Sequence, residues 1–158
     1  MSKKPESDEN LFSLKMKRRL NEIIFDSDMT KTEFAKKAGL GKETLSYATV
    51  YGIVPSVPTL IKIADFAERS IPYILGETDD ESFYPSVKNE TFHTRLAALA
   101  EENNVKFSQI SAKTSFAKNS IYEWNRRKCL PTLGYLYELA DYFGVTVDYL
   151  LGRTDYKN

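Results

Sequence analysis

Several side chains in the second half of the chain can exchange hydrogen bonds with the edges of nucleic-acid bases. They lie on successive turns of a segment with helical spacing and are Lys118, Asn119, Tyr122 and Glu123. Lysine donates to guanine, asparagine pairs with adenine, and glutamate accepts from cytosine. A cationic trio follows them directly and consists of Arg126, Arg127 and Lys128. Basic side chains at this place are suited to bind phosphates, which supply much of the affinity for a nucleic acid.

Charge is distributed unevenly although the chain is neutral overall, with 22 Lys and Arg against 22 Asp and Glu side chains. Residues 113–128 contain five basic side chains and one acidic, and residues 15–42 contain eight basic and four acidic. Four of the five residues from Glu77 to Glu81 are acidic, and residues typical of turns surround them. The local distribution permits two basic surfaces and predicts a solvated acidic linker between them.

Enzymatic, metal-binding and membrane functions lack the residues they need. Cys129 is the single cysteine and His93 the single histidine, so neither an internal disulfide nor a zinc cluster is expected. The sequence has no glycine-rich phosphate loop and no nucleophile with a partnered histidine. It has neither a secretory leader nor an apolar run near 18 residues. We therefore expect a cytoplasmic protein that is not an enzyme, uses no cofactor or metal and does not bind a membrane.

The chain contains one sequence module twice. A gap-free self-match at an offset of 76 residues runs from Met16/Phe92 to Asp80/Tyr156 and has 13 identical pairs. These pairs include Arg19/Arg95, Lys42/Lys118, Tyr73/Tyr149, Thr78/Thr154 and Asp79/Asp155. Two copies are too few for a solenoid, which needs at least three repeats. We expect a tandem pair of domains, 11–76 and 92–158, joined by the linker 77–91.

The spacing of apolar residues predicts five short helices in each copy and almost no sheet. The third helix is expected over about 42–50 in the first copy and 118–126 in the second. Thr30 followed by Glu33 has the spacing of a capping box, which marks the start of the second helix in the first copy. A tight turn then joins the second and third helices, so the third helix can project from a small body.

The second copy resembles the phage-repressor (Cro/CI, XRE-type) helix-turn-helix family over essentially its whole length. Residues 121–131 and 136–155 carry the likeness, and the segment 143–152, Phe-Gly-Val-Thr-Val-Asp-Tyr-Leu-Leu-Gly, is its most specific part. The resemblance implies an all-α protein with two tandem five-helix lambda-repressor-like domains joined by a short acidic linker. It also implies that the third helix enters the major groove of double-stranded DNA, usually as part of a dimer on paired half-sites.

The resemblance and the helical positions assign candidate roles to side chains of both copies. The candidate base-reading residues are Lys118, Asn119, Tyr122, Glu123, Lys42, Glu43 and Tyr47. The candidate phosphate-binding residues are Ser120, Arg126, Arg127, Lys128, Lys31 and Thr44. Where the family usually has a glutamine that braces a phosphate, the chain has Lys31 in the first copy and Phe107 in the second. Lys31 can replace that contact, whereas Phe107 cannot.

The first copy departs from the family because its third helix and the following loop have no basic residue after Lys42. The residues there are apolar and would form an exposed patch if the family fold holds: Val50, Tyr51, Ile53, Val54 and Val57. Exposed apolar patches of this kind often mark protein interfaces. We therefore expect that this copy has exchanged DNA for a protein partner, which includes a second copy of the chain as a homodimer.

Two functions follow from these observations. The first is a sequence-specific DNA-binding transcriptional regulator, a repressor of phage or mobile-element type. The alternative is a protein-binding module on a helix-turn-helix scaffold, such as an antirepressor or an inhibitor of a host factor, since a fold does not imply a function. Fifteen linker residues reach about 50 Å, against about 34 Å between major-groove faces on one side of DNA, so both copies could bind one duplex.

Overall fold

A computed structural model describes residues 6–158, with side chains described from residue 13 onward. Throughout this part of the chain the only regular secondary structure is helical, with no β-strand, which confirms the expected all-α class. Contacts divide the chain into two compact units, Met1–Phe83 and Tyr84–Asn158, named unit 1 and unit 2 below. The division falls inside the segment expected to be the linker.

The described residues of each unit form five helices. In unit 1 they are α1 (Glu6–Asp26), α2 (Lys31–Ala38), α3 (Lys42–Tyr51), α4 (Val57–Ala67) and α5 (Ile71–Ile74). In unit 2 they are α6 (Phe92–Glu102), α7 (Phe107–Ala112), α8 (Ser120–Arg127), α9 (Leu133–Phe143) and α10 (Val147–Leu150). At the start of α2 the Thr30 hydroxyl accepts a hydrogen bond from the Glu33 amide, as the capping signal predicts.

Backbone geometry recurs at the offset of the sequence repeat. Four positions with positive φ in unit 1 have counterparts with positive φ 76 residues later: Asp28/Asn104, Gly52/Lys128, Glu68/Gly144 and Gly76/Gly152. The left-handed conformation ends a helix by turning the next amide back to the last carbonyls. The bounds of α4 and α5 also match those of α9 and α10 at the same offset. Equivalent turns therefore end equivalent helices in the two units.

A buried arginine closes unit 1 by joining α1 to the residues that follow α5. Arg19 Nη1 donates to the carbonyl oxygens of Tyr73 and Thr78, both at 2.9 Å. Arg19 Nη2 donates to the Asp79 carboxylate at 2.5 Å, and the guanidinium lies 4.0 Å from the centroid of the Tyr73 ring. We call this arrangement the arginine clasp. It provides a donor to two carbonyl oxygens at the end of the unit, and the carbonyl of Tyr73 also accepts from the Gly76 amide.

Unit 2 contains the same clasp around Arg95. Its Nη1 donates to the carbonyl oxygens of Tyr149, at 2.7 Å, and Thr154, and its Nη2 donates to Asp155 at 2.8 Å. Here Arg95 Nε also donates to the Glu90 carboxylate at 2.6 Å. All of these residues except Glu90 are identical to their counterparts in unit 1. The identical pairs of the repeat therefore include the whole clasp, whose geometry depends on those side chains.

The expected linker 77–91 is exposed at most of its positions, but part of it is hydrogen-bonded to unit 2. Ser86 donates to the Arg153 carbonyl oxygen through its amide and to Asp155 through its hydroxyl, at 2.8 and 2.6 Å. The Val87 amide donates to Asp155, and the Thr154 hydroxyl donates to the Tyr84 carbonyl oxygen. We call residues 84–90 the strap of unit 2.

The strap shortens the connection between the two clasps. Four residues, 80–83, separate Asp79 in the clasp of unit 1 from Tyr84 in the strap. The five Cα-to-Cα steps from Asp79 to Tyr84 span at most about 18 Å when fully extended. The expected reach of about 50 Å is therefore wrong, because it counts strap residues that hydrogen bonds hold against unit 2.

Candidate nucleic-acid interface

Buried side chains at three-residue spacing orient α8 in unit 2. Ile121 and Trp124 point into the core, and the remaining positions of the helix are partly or fully exposed. Trp124 is only 8% exposed and lies among three other aromatic rings, those of Phe92, Phe116 and Tyr135. Trp124 is therefore a core residue of the third helix. Edge-to-face packing of these rings fixes the rotation of α8 about its axis.

The helix begins two residues later than the sequence predicts. Lys118 and Asn119 lie in a turn before α8, not in its first turn, because the Ser120 amide donates to the Ala117 carbonyl oxygen at 2.9 Å. Asn119 is the N-cap residue, with φ −95° and ψ 1°, and its carbonyl oxygen accepts from the Glu123 amide. The connection is longer than in unit 1 because residues 113–119 accommodate the buried ring of Phe116.

The candidate residues of the second copy share one exposed side of this segment. The side chains of Lys118, Asn119, Tyr122, Arg126, Arg127 and Lys128 are exposed, and those of Ser120 and Glu123 are partly exposed. Spacings of three and four residues bring Asn119, Tyr122 and Arg126 onto one face. The Tyr122 ring packs edge-on against Phe107, with the centroids 5.9 Å apart. Phe107 therefore supports a neighbouring side chain of this surface.

An ion-pair network within the surface joins one carboxylate to two arginines. Glu123 Oε2 accepts from Arg126 Nη2 at 2.8 Å and forms an ion pair with Arg127 Nε at 3.1 Å. The hydrogen bond from Arg126 lowers the pKa of Glu123 below its usual value, and the same bond raises the pKa of Arg126. The roles expected from the sequence, base reading for Glu123 and phosphate binding for the two arginines, did not include this pairing. The spacings, i to i+3 and i to i+4, are nevertheless those at which helical side chains meet.

Lys128 ends α8 in a conformation that is unusual for a residue with a side chain. It is the C-cap, with φ 52° and ψ 38°, and its amide donates to the Trp124 carbonyl oxygen. The corresponding position in unit 1 is Gly52, with φ 68°. Left-handed backbone costs a non-glycine residue roughly 1 kcal/mol. Unit 2 therefore has a lysine where local geometry favours the glycine present in unit 1.

The candidate residues of the first copy surround α3 in unit 1. Lys31, Lys42, Glu43 and Tyr47 are exposed, and Thr44 is partly buried. Unlike α8, α3 begins at the predicted residue, since Gly41 serves as its N-cap. Within the described side chains, Lys31 and Lys42 lie at the starts of α2 and α3 and no cation stands at the end of α3.

An apolar surface occupies the end of α3, where unit 2 has the cationic trio. Val50, Tyr51 and Ile53 are exposed, Tyr51 by 71%, while Val54 is partly buried. The assignment of Val57 to an exposed patch is wrong: it is 4% exposed because it begins α4 and points into the core. Tyr47 extends the surface, with its ring 6.3 Å from that of Tyr51. We call Tyr47, Val50, Tyr51 and Ile53 the apolar face of unit 1.

A second exposed feature of unit 1 lies on α1 and was not predicted. Phe25 is 82% exposed and borders a shallow groove, which is lined by Arg18, Asn21, Glu22, Phe25 and Asp26. Asn21 also donates to the Thr49 carbonyl oxygen of α3 at 3.0 Å. Sequence periodicity gave no signal for Phe25, because an exposed aromatic residue on an amphipathic helix looks like part of its apolar stripe.

In the portion of the chain with described side chains, no three His, Cys, Asp or Glu residues are grouped so that they could hold a metal ion. No helix of the described chain combines the length and the apolar character needed to cross a membrane.

Comparison of the chain with protein-family models, with curated proteins and with solved structures finds no match.

Proposed function

We propose that the protein is a sequence-specific DNA-binding transcriptional regulator, a repressor of phage or mobile-element type, built from two lambda-repressor-like helix-turn-helix domains. The observation that carries the proposal is the exposed side of α8. It presents polar side chains at its start and the cationic trio at its end, and an aromatic cluster holds it in one orientation. This role needs neither catalysis nor a cofactor, and it places the protein in the cytoplasm.

Affinity in this proposal comes from Lys118 and the cationic trio. All four side chains are exposed, so they can replace counterions around phosphates without first leaving the protein core. Lys128 supports the same view, because the strain of a left-handed lysine has no structural benefit in unit 2 that glycine would not give. A cation kept at a strained position suggests selection for the charge.

Specificity in this proposal comes from side chains near the start of α8. Asn119 is exposed, and although it is the N-cap residue, its side chain makes no capping hydrogen bond with the described backbone of the helix. Its amide can therefore pair with an adenine edge. Tyr122 lies one turn further and is exposed, which allows contact with a base or the sugar-phosphate backbone.

The proposal is tested by replacing the cationic trio with the residues that unit 1 has at the same positions. The variant R126V/R127Y/K128G should keep its fold, since unit 1 forms the corresponding turn with Val50, Tyr51 and Gly52. Titration of labelled random duplex DNA over a salt series should give weaker binding. The slope of log K against log salt should fall by about 0.9 per lost phosphate contact, hence about 2.7 in total.

The matched control removes three cations elsewhere. Lys15, Lys36 and Lys37 are exposed in unit 1, and K15A/K36A/K37A should change the salt slope by less than about one. Equal losses in the two variants would mean that net charge alone controls binding. Wild-type protein that shows no salt-dependent binding to duplex DNA at low salt would refute the proposed function.

Base reading is tested separately with a duplex selected from a random pool by the purified protein. We expect Asn119→Ala to cost about 1–3 kcal/mol on the selected duplex and much less on random DNA. A loss of the same size on both duplexes would show that Asn119 contributes to affinity and does not read a base.

The apolar face of unit 1 favours a second candidate function, a protein-binding module. Four exposed apolar side chains at the end of α3 have the composition of an interface, and that end of α3 carries no cation among the described residues. In this alternative the partner is a repressor, polymerase or host factor. A homodimer formed by the same face instead combines both roles, because two identical second units would then read an inverted repeat in double-stranded DNA. The symmetry of the DNA footprint and the oligomeric state of Y51S distinguish these cases.

A further inference from the structure

Three charged side chains at the end of α8 neutralise one another in part. Arg126 donates to an oxygen of Glu123 at 2.8 Å, and Arg127 forms an ion pair with the same oxygen at 3.1 Å. Carboxylate and phosphate oxygens accept from a guanidinium in the same way. The carboxylate therefore uses N–H groups that would otherwise be available for DNA phosphates.

The strength of this network suits competition with phosphate but not a permanent block. Both arginine side chains are 67% exposed and Glu123 is 45% exposed, and an exposed ion pair contributes about 0–1 kcal/mol. Each guanidinium also keeps further N–H groups for a second acceptor. A polyanion can thus displace the carboxylate, but every sequence of DNA must supply the free energy needed to do so.

Unit 1 has neither partner of this network. Tyr47 stands at the position of Glu123, and Val50 and Tyr51 stand at those of the two arginines. The carboxylate is therefore present in the unit that has the arginines and absent from the unit that lacks them. This is the pattern expected if the acid acts through the arginines.

We propose that Glu123 is a specificity-determining residue that weakens the binding of Arg126 and Arg127 to DNA of any sequence. It releases them where a base edge offers a hydrogen-bond donor to its carboxylate, as the amino group of cytosine does. The inference rests on the proposed DNA-binding function. Glu123 then lowers the affinity for non-specific DNA more than the affinity for the correct site. It therefore increases the ratio of specific to non-specific affinity.

The experiment measures the affinity of full-length E123Q for random duplex DNA and for the selected duplex. We expect the affinity for random duplex to rise about three- to tenfold at low salt, and the ratio of selected to random affinity to fall. The control E102Q removes another paired carboxylate of unit 2, which accepts from Lys157 at 3.0 Å, and should change both affinities less than about twofold.

A double-mutant cycle separates action through the arginines from a general effect of charge. In the R126A/R127A background, E123Q should change the random-duplex affinity by less than about twofold. An equal gain with and without the arginines, or no gain in the wild-type background, would overturn the inference while the proposed function stands. Absence of salt-dependent DNA binding by the wild-type protein would instead overturn the proposed function, and this inference with it.

Discussion

The third helix of unit 1 and that of unit 2 differ in charge on their outer sides. Their inner positions are apolar in both units: Leu45 and Ala48 in α3, Ile121 and Trp124 in α8. On the outer side, Val-Tyr-Gly at 50–52 replaces Arg-Arg-Lys at 126–128. Buried positions must fill a fixed space, whereas exposed positions can change without loss of packing. The comparison shows how the surface of one helix can change its chemistry while the left-handed turn that ends it is retained.

The arginine clasp shows the opposite relationship, because its side chains are identical in the two units while their surroundings differ. Asp79 is 98% exposed, whereas Asp155 is 20% exposed and also accepts hydrogen bonds from the strap. Arg95 has an additional partner in Glu90. Unit 2 therefore encloses the same group of side chains more completely than unit 1.

The largest effect is expected from removing the central arginine of each clasp. Arg95→Met removes a buried donor shared by the Tyr149 and Thr154 carbonyl oxygens and by the carboxylates of Asp155 and Glu90, and it should lower the free energy of unfolding of unit 2 by about 3–5 kcal/mol. Arg19→Met should cost unit 1 less, about 2–3 kcal/mol, since water can solvate Asp79. Fluorescence of Trp124, the single tryptophan, follows unit 2 during denaturation, and circular dichroism follows both units. Equal losses of unfolding free energy in the two variants would mean that the strap does not add to the stability that the clasp gives unit 2.

A smaller effect is expected from transferring charge to unit 1. V50R/Y51R gives α3 the two arginines of α8 and should raise the affinity for random duplex DNA about tenfold at low salt, with a salt slope larger by about 1.8. Gly52 is kept, because a Cβ atom there would lie 3.2 Å from the Ser13 carbonyl oxygen. The control V50Q/Y51Q removes the apolar side chains without adding charge. If both variants bind DNA equally, the charge difference between the units does not explain their proposed roles.

A further effect is expected from the Asp155 carboxylate at low pH. The hydroxyl of Ser86, followed by the Val87 amide and Arg95, lowers the pKa of Asp155 below its usual 3.8. A carboxyl whose pKa is lower in the folded state stabilises the protein above its unfolded pKa and loses that contribution as the pH falls through the folded pKa. Asp155→Asn should therefore destabilise unit 2 at pH 7 and reduce its loss of stability below about pH 4. Thermal unfolding at pH 7 and pH 3 measures the destabilisation and its dependence on pH. Asp79→Asn should destabilise unit 1 at pH 7 less than Asp155→Asn destabilises unit 2.

The smallest effect is expected from Lys128→Gly. Glycine relieves the left-handed backbone and should stabilise unit 2 by about 0.5–1 kcal/mol, while the salt slope for DNA falls by about 0.9. Lys128→Ala keeps the strain and loses the charge, so it separates the two contributions. Denaturation followed by Trp124 fluorescence gives the change in the stability of unit 2, and duplex titration gives the change in the salt slope. Destabilisation by glycine would show that the lysine side chain makes contacts that stabilise the turn.

Local patterns in the sequence predicted the buried sides of the helices better than their ends. The spacing of Ile121 and Trp124 is that of the inner side of a helix, because burial requires apolar residues at a period of 3.6. The start of α8 was misplaced, since the turn before it depends on the packing of Phe116 and not on a capping residue. Val57 was misplaced for a related reason: an apolar residue beside a loop can belong to the loop or to the next helix.

Hydrogen bonds between residues far apart in the sequence could not be predicted from local sequence patterns. Nothing near Ser86 indicates that it bonds to Arg153 and Asp155, almost seventy residues away, and its neighbours have the composition of a linker. The clasp is different, because its members are identical pairs of the repeat and could have been recognised as a group. Alignment of the two copies was therefore the most useful source of prediction. It cannot report on the strap, because the equivalent positions, 8–14, lie outside the self-match and within α1.

The strap also determines where the chain can be divided. A protease that cleaves at the exposed residues 80–82 would leave Tyr84 onward attached to the second half, so the resistant fragment should begin near Tyr84. A fragment that begins at Phe92 follows the sequence repeat but loses the carboxylate of Glu90 beside the buried Arg95. It also loses the hydroxyl of Ser86 that binds Asp155. Studies of the isolated second half should therefore start eight residues earlier than the repeat suggests.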